Sequence, residues 1–279
     1  MTAPAPLSVC IPAYEAGRTL ETTLRSVLDQ DVEMEVLVLD NASTDETGAI
    51  ARSFDDPRVR VERNRQVLPI GDNWNAAVRR STGRLVKVVC ADDVIRPGAL
   101  AGQQEVLADP AVSVVSSRFE VIDEDGAVKE TGLGLPGLLG RRAGKDLAGV
   151  IVRRGPAEFG PTAATMFRRD LYDRVGGFRG DLVFPMDVDL FARMGVHGDF
   201  HGVESVDAAW RDSTFNLCSR TSSYSKLSES VRLHHRLARE MPGFVSLRDV
   251  VAGDRRILDA VLIRLQVRAG AMMRGLRRR

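Results

Sequence analysis

Through its first ninety residues the chain alternates short apolar runs with segments of helical spacing, and this alternation constrains the fold more than any other feature of the sequence. Runs at 7–11, 35–39, 58–61 and 85–90 read as strands, three of them apolar enough to be buried on both faces. Between them, residues 19–28 place Leu20, Leu24, Val27 and Leu28 on one stripe. Residues 43–54 open with Ser43-Thr44-Asp45-Glu46, a helix-capping run, and 72–81 carry Trp74, Ala77 and Val78. Strand and helix alternating in steps of about 30 residues call for a parallel sheet with right-handed crossovers. Ligands of such sheets gather at the carboxyl ends of the strands. The residues that follow each strand are therefore the ones to interrogate.

After residue 90 the pattern changes. A helix is predicted over 97–107 and a strand pair over 112–122 and 127–129, turning at Glu124-Asp125-Gly126. Gly132, Gly134, Gly137, Gly140 and Gly144 make 132–144 the segment expected to be most flexible, either a surface linker or a loop that orders over substrate. A strand over 163–167, a short helix over 170–175 stopped by Gly176-Gly177, and a helix over 188–194 after Pro185 follow. Beyond residue 222 only helical segments are expected, over 227–240 and 249–276. The division that results is a mixed strand-and-helix part over 1–222, in two halves at about 1–110 and about 111–222, with a helical extension over 223–279.

A chain of 279 residues, 44% of them hydrophobic, can bury a core without disulfides or structural metal. Cys10, Cys90 and Cys218 are odd in number and far apart, which suggests neither a disulfide framework nor a zinc site and fits a reducing cytoplasm. No basic segment precedes an apolar one at the N-terminus, and no apolar run reaches about 18 residues, so neither a signal peptide nor a membrane span is expected. A net charge of +1 argues against a nucleic-acid partner. That value averages unlike parts: residues 248–279 hold nine arginines against Asp249, Asp254 and Asp259, a local +6, leaving −5 on residues 1–247. In this tail Ile257, Leu258, Val261, Leu262, Leu265, Ala269, Met272, Met273 and Leu276 form an apolar stripe. It either packs on the core or a dimer partner, or docks on an anionic membrane, making a cytoplasmic protein peripheral at the inner face.

Two strand ends carry acids. Asp40-Asn41 follow the second strand and Asp92-Asp93 follow the fourth. Each alone reads equally as a turn that caps the next helix. Together on one rim of a parallel sheet, carboxylates repel unless something cationic stands between them. A divalent metal with a diphosphate is one such partner, since Mg²⁺ and Mn²⁺ take one or two carboxylates plus phosphate oxygens.

Several motifs then resemble, in order, those of family 2 glycosyltransferases of the GT-A fold. Leu7-Ser8-Val9-Cys10-Ile11-Pro12-Ala13-Tyr14-Glu15 is similar to that family's opening strand, and Leu24-Arg25-Ser26-Val27-Leu28-Asp29-Gln30 to its first helix. Glu35-Val36-Leu37-Val38-Leu39-Asp40-Asn41-Ala42-Ser43-Thr44-Asp45 resembles its second strand and turn. Gly71-Asp72-Asn73-Trp74-Asn75 and Thr82-Gly83 match the helix before the metal strand, and Cys90-Ala91-Asp92-Asp93 looks like the D-x-D-D signature. Downstream, Pro161-Thr162-Ala163-Ala164-Thr165-Met166-Phe167, Val175-Gly176-Gly177-Phe178 and Met186-Asp187-Val188-Asp189-Leu190 resemble the acceptor-side block. The likeness covers residues 7–215.

The resemblance implies an inverting, nucleotide-sugar-dependent transferase with a Rossmann-like, mostly parallel central sheet flanked by helices. A nucleoside diphosphate sugar, a UDP-sugar foremost, would be the donor and a hydroxyl of a glycan, lipid-linked or small molecule the acceptor. Asp40 would accept from the nucleobase edge, with Pro12, Ala13, Tyr14 and Glu15 lining its pocket and Asn73 joining the donor site. Asp92 and Asp93 would hold ribose and a Mg or Mn ion that neutralises the departing diphosphate. Asp187 would be the general base, because direct displacement at the anomeric carbon needs one carboxylate opposite the leaving group. An N-cap of the following helix is its structural alternative, and Asp189 reads as a helix-start acid.

Four departures qualify the pattern. Cys90 replaces the first acid of the signature, so the metal motif rests on Asp92-Asp93. Met186 replaces an acid before the base, which by the like-charge argument leaves Asp187 less prone to a raised pKa. Trp210-Arg211-Asp212-Ser213 lacks the family's histidine, leaving Asp212 as a substitute oxygen ligand. His197, His201, His234 and His235 lack paired ligand spacing and read as surface or helix residues. These departures motivate a rival reading, a catalytically silent nucleotide-sugar-binding or scaffold protein. A dinucleotide oxidoreductase is disfavoured, because Pro12-Ala13-Tyr14-Glu15-Ala16-Gly17 is no G-x-G-x-x-G turn.

Overall fold

The computed structural model describes residues 6–276, with the backbone alone for 157, 217, 218, 265 and 267–276. The alternation at the start produces β1 (Leu7–Ala13), α1 (Leu20–Leu28), β2 (Met34–Asp40), α2 (Thr47–Arg52), β3 (Val59–Arg63), α3 (Ile70–Arg80) and β4 (Leu85–Val88). There follow β5 (Val94–Ile95), α4 (Ala99–Val106), β6 (Val112–Ile122), β7 (Val128–Leu133), β8 (Gly140–Arg142), α5 (Gly144–Arg154) and α6 (Pro156–Phe159). The second half adds β9 (Thr165–Arg168), α7 (Arg169–Val175), α8 (Met186–Met194), β10 (Asp199–Arg211), α9 (Leu217–Arg220), α10 (Ser223–Glu240) and α11 (Leu247–Leu276).

One sheet runs in the order β3-β2-β1-β4-β9-β6-β10-β5, with β7 on β6 and β8 on β10. The first four strands pair in parallel. The short β9 runs antiparallel to both β4 and β6, and β10 lies parallel to β6, so the long strands keep one direction across the sheet. Every residue of β1 is buried, as a central parallel strand covered on both faces demands. Its side chains alternate between two cores: Val9 and Ile11 face α1 and α2, while Cys10 faces the layer of α3, α5, α7 and α8. Pro12, which has no N–H to donate, stands beyond Cys10–Val88, the last β1–β4 pair.

The glycine-rich stretch is packed. Leu135 and Leu138 are buried in the core, and Gly134, at φ +93°, lets the backbone pass where a Cβ would stand 3.0 Å from the Phe119 ring. Gly134 and Gly144 serve close approach, in contrast to the flexibility expected of the stretch, and β8 and the start of α5 grow from its end. Strand β10 has no counterpart in the periodicity reading, because register shifts between Asp199 and Ala208 break the alternation that marks a strand. Under the sheet, Lys87 is wholly buried, donates to Gln103 Oε1 at 2.8 Å, and has its pKa pushed down to about 7 by desolvation.

The C-terminal helices divide the predicted stripe. Leu233 and Leu237 of α10 and Val250 of α11 belong to the core that carries α8, and Ile257 is also buried. Leu247, Val251, Leu258, Leu262 and Ile263 are exposed. The side chains of Leu265, Ala269, Met272, Met273 and Leu276 lie outside those described, as does that of Cys218. Among the described residues no helix is long and apolar enough to cross a membrane.

Candidate active site

The carboxyl ends of β1, β2 and β3 are tied to one another. Asn41 N donates to Ala13 O and Asn64 N to Asp40 O, each at 2.8 Å. Asp40 is fully buried at the end of β2, where its Oδ1 accepts from Ser43 N at 2.9 Å and its Oδ2 is ion-paired with Arg63. Arg63 also donates to Ser43 O at 2.8 Å. Pro12 and Ala13 are buried within β1, and Tyr14 beyond them is 53% exposed. Glu15 Oε1 accepts from the Thr44 amide and hydroxyl at 2.8 and 3.0 Å. Glu15 and Ala42 hold left-handed backbones at φ +49° and +58°, a strain of roughly 1–3 kcal/mol each of the kind that clusters at binding sites. Asn73, at the start of α3, accepts at 2.9 Å from Asn64, which also donates to Asn41. Asn64 Oδ1 is buried without a hydrogen-bond partner.

The second group of acids faces a cavity of about 460 Å³. Asp92 and Asp93 enter it from the end of β4, Asp187 from the first turn of α8, and Cys90 stands with them. The rest of the lining is mostly apolar, with Ile70, Trp74, Phe119, Val183, Phe184 and Trp210 prominent. The turn carrying Asp92 and Asp93 is clamped on two sides. Thr19, the N-cap of α1, and Thr23 within it donate to the carbonyls of Ala91 and Asp93 at 2.8 Å, and Arg211 Nε donates to Asp92 O at 3.0 Å. Arg211 Nη1 donates to the carbonyls of Asp123 and Glu124, and its backbone N–H reaches Asp93 Oδ1 at 3.3 Å. Burial raises the Asp93 pKa well above the usual carboxylate range, with the neighbouring Asp92 adding to the rise; burial raises Asp92 as well.

Asp187 is held by Thr162, whose hydroxyl donates to Oδ2 at 2.9 Å, and by Val188 N on Oδ1 at 2.8 Å. Its pKa is raised by desolvation, with the neutral Met186 beside it adding no like charge. Asp189 is buried against Arg193 at 2.8 Å. Asp212 turns to Lys129 at 2.6 Å and stands outside the group of Cys90, Asp92 and Asp93 whose ligand atoms come together. No histidine lines the cavity: His234 and His235 both bind Asp254.

Two acidic loci at strand ends and a third acid across a cavity from one of them define a GT-A type of glycosyltransferase scaffold. The model of the family "Glycosyl transferase family 2" matches residues 8–176, and the chain belongs to that family. An uncharacterised protein of Mycobacterium tuberculosis is 35% identical over 198 residues, 67% of this chain and 61% of that protein. The succinoglycan biosynthesis protein ExoU of Rhizobium meliloti is 31% identical, over 71% of this chain and 60% of its own. The chain thus spans about three fifths of the length of these relatives. In fold it is similar to residues 1–349 of S. aureus TarS in complex with UDP-GlcNAc, at TM-score 0.67 and 17% identity over 85% of this chain and 66% of that one. It is likewise similar to a mannosyltransferase of Pyrobaculum calidifontis in complex with GDP-Man and Mn2+, at TM-score 0.63 and 20% identity over 98% and 81%.

Four contributors escaped the sequence reading. Arg63 and Asn64 end β3, so the strand-end rule that picked out Asp40 and Asp92 applies to them equally. Thr162 lies inside a quoted motif with no role given, and Arg211 ends a strand that the periodicity did not reveal.

Proposed function

We propose that the protein is an inverting glycosyltransferase that moves a sugar from a nucleoside diphosphate donor, a UDP-sugar foremost, to an acceptor hydroxyl. The observation that carries this reading is that Asp92, Asp93 and Asp187 open into one cavity with no ion pair on any of their carboxylates among the described residues. The donor set fits a divalent cation: two carboxylates and a thiol whose ligand atoms lie within 4.8 Å of one another. Asp92 and Asp93 would hold Mg²⁺ or Mn²⁺, which supplies charge neutralisation to the departing diphosphate.

The remaining work falls to the chain itself. Asp187, raised in pKa and fixed by Thr162, takes the acceptor proton on the face opposite the leaving group. Asp40 receives the nucleobase edge at the oxygen that Arg63 now occupies, while Pro12, Ala13, Tyr14, Glu15 and Asn73 shape the donor pocket. Trp74, Phe119 and Trp210 give the cavity an apolar wall against which a sugar ring or lipid-linked acceptor can lie. Residues 1–222 form the catalytic unit. The extension 223–279, through its exposed α11 side chains and basic charge, meets an anionic membrane at the cytoplasmic face or a second copy.

The test is incubation of purified full chain with UDP-, GDP-, dTDP- and CDP-sugars and Mn²⁺ or Mg²⁺. Release of nucleoside diphosphate from one donor, strengthened by an acceptor, supports the reading. Donor binding without any turnover across the panel would assign the chain to the silent, nucleotide-sugar-binding alternative.

A further inference from the structure

We propose that the Cys90 sulfur is a third ligand of the cation held by Asp92 and Asp93, shifting the site's preference away from Mg²⁺ toward cations that accept sulfur, Mn²⁺ weakly and Co²⁺, Zn²⁺ and Cd²⁺ strongly. This rests on the metal-assisted reading above and deepens it by making the thiol of that donor set a ligand that selects the cation. Cys90, Asp92 and Asp93 line the same cavity, and one ligand atom from each lies within 4.8 Å of the other two. That span suits a single ion bound by all three.

A second observation points to a cation independently of that proximity. Asp93 is 1% exposed and lines the cavity, and the one hydrogen bond its carboxylate shows among the described residues is the long 3.3 Å contact of Oδ1 with Arg211 N. Arg211, which contacts this turn, directs its guanidinium at three backbone carbonyls. Asp92 and Asp93 make no ion pair among the described residues, and Arg211, bound to the turn through a backbone carbonyl, offsets two neighbouring carboxylates only in part, so a bound cation would supply the rest.

The chemistry of sulfur decides what kind of cation. A metal-bound thiol is deprotonated, so the Cys90 proton passes to solvent as the sulfur–metal bond forms, with no change of oxidation state. The site then carries two carboxylates and one thiolate, a softer set than the three oxygens an acid at this position would give. The turn is fixed for this purpose: Val89 N donates to Cys10 O at 2.9 Å and Asp93 N to Cys90 O at 3.0 Å. Cys10 differs in kind. It is fully buried, faces Ser81 at 3.3 Å, and has its pKa pushed up to about 11, an unreactive core thiol.

The experiment uses the reduced full chain, titrated with Co²⁺ with and without UDP, beside Cys90→Ser and Cys90→Asp. Wild type should develop a near-ultraviolet thiolate-to-cobalt band that both variants lack. Cys90→Ser should lose Cd²⁺ affinity by at least the roughly 10–100-fold that removal of a supporting outer-shell contact costs, and Cys90→Asp should shift the Mn²⁺/Mg²⁺ preference toward Mg²⁺. Cadmium-113 NMR of the wild type needs no variant and should give a resonance displaced from the all-oxygen position. Cobalt binding without the band, or a band that survives in Cys90→Ser, overturns the sulfur ligand and leaves the metal-assisted reading standing. No binding of Co²⁺ or Mn²⁺ under either condition overturns both.

Discussion

Asp40 and the Asp92–Asp93 pair each close the carboxyl end of a parallel strand, yet the protein treats their charge in opposite ways. Asp40 is neutralised from within, by Arg63 and by the Ser43 amide. The pair at the end of β4 is desolvated and answered by little more than one long backbone contact. Where a carboxylate is fully satisfied, burial reads as structure, with a ligand entering only by exchange. Where it is buried and unanswered, the fold holds a cost that a cation and a diphosphate can remove. Asp187 belongs with the second kind, raised in pKa and facing the same cavity.

Substitutions sharpen this contrast. The largest effect is expected for Asp187→Asn, which should lower kcat by roughly 10²–10⁴-fold, the usual worth of a positioned general base, with donor affinity by calorimetry unchanged. Turnover within a few-fold of wild type would take the base role away from Asp187. Next, Asp93→Asn should stabilise the metal-free protein by about 1–2 kcal/mol while abolishing any metal-dependent gain in UDP affinity, because it removes an uncompensated buried charge. Arg63→Ala should do the reverse, costing about 2 kcal/mol, since it leaves Asp40 unpaired although the arginine itself is half exposed. Equal signs for the two variants in chemical denaturation would erase the distinction between the loci.

A smaller effect concerns pH. The folded pKa of Asp93 lies above its unfolded value, so between the two the native state keeps a proton that the unfolded chain has lost. Stability of the metal-free protein therefore declines as pH rises through that window, and saturating Mn²⁺ should flatten the slope. Melting curves from acid to neutral pH that are identical with and without Mn²⁺ would contradict this.

The first half of the fold was legible because each strand is short, apolar and separated by an amphipathic helix, so periodicity and topology agree. Asp40, Asp92 and Asp93 followed from the strand-end rule alone, and Asp187 from motif likeness, since nothing in local spacing separates a base from a helix cap. The remainder was hidden for physical reasons. Bulges in β10 broke the alternation that would have exposed Arg211. Glycines at 132–144 signalled freedom where the structure uses Gly134 for tight passage beside Phe119 and buries Leu135 and Leu138. The Arg63–Asp40 pair joins residues 23 apart in sequence, and no pattern along the chain announces it.

The central claim is that the unanswered carboxylates await a cation together with a diphosphate. Its most direct test is thermal unfolding of the full chain with UDP alone, Mn²⁺ alone and both. Ligand present at 100 times its dissociation constant stabilises the native state by about 2.7 kcal/mol. The account predicts a rise in Tm for UDP with Mn²⁺ that exceeds the sum of the separate rises and disappears in Asp93→Asn. The same shift for UDP without metal, or one that persists in that variant, would contradict it.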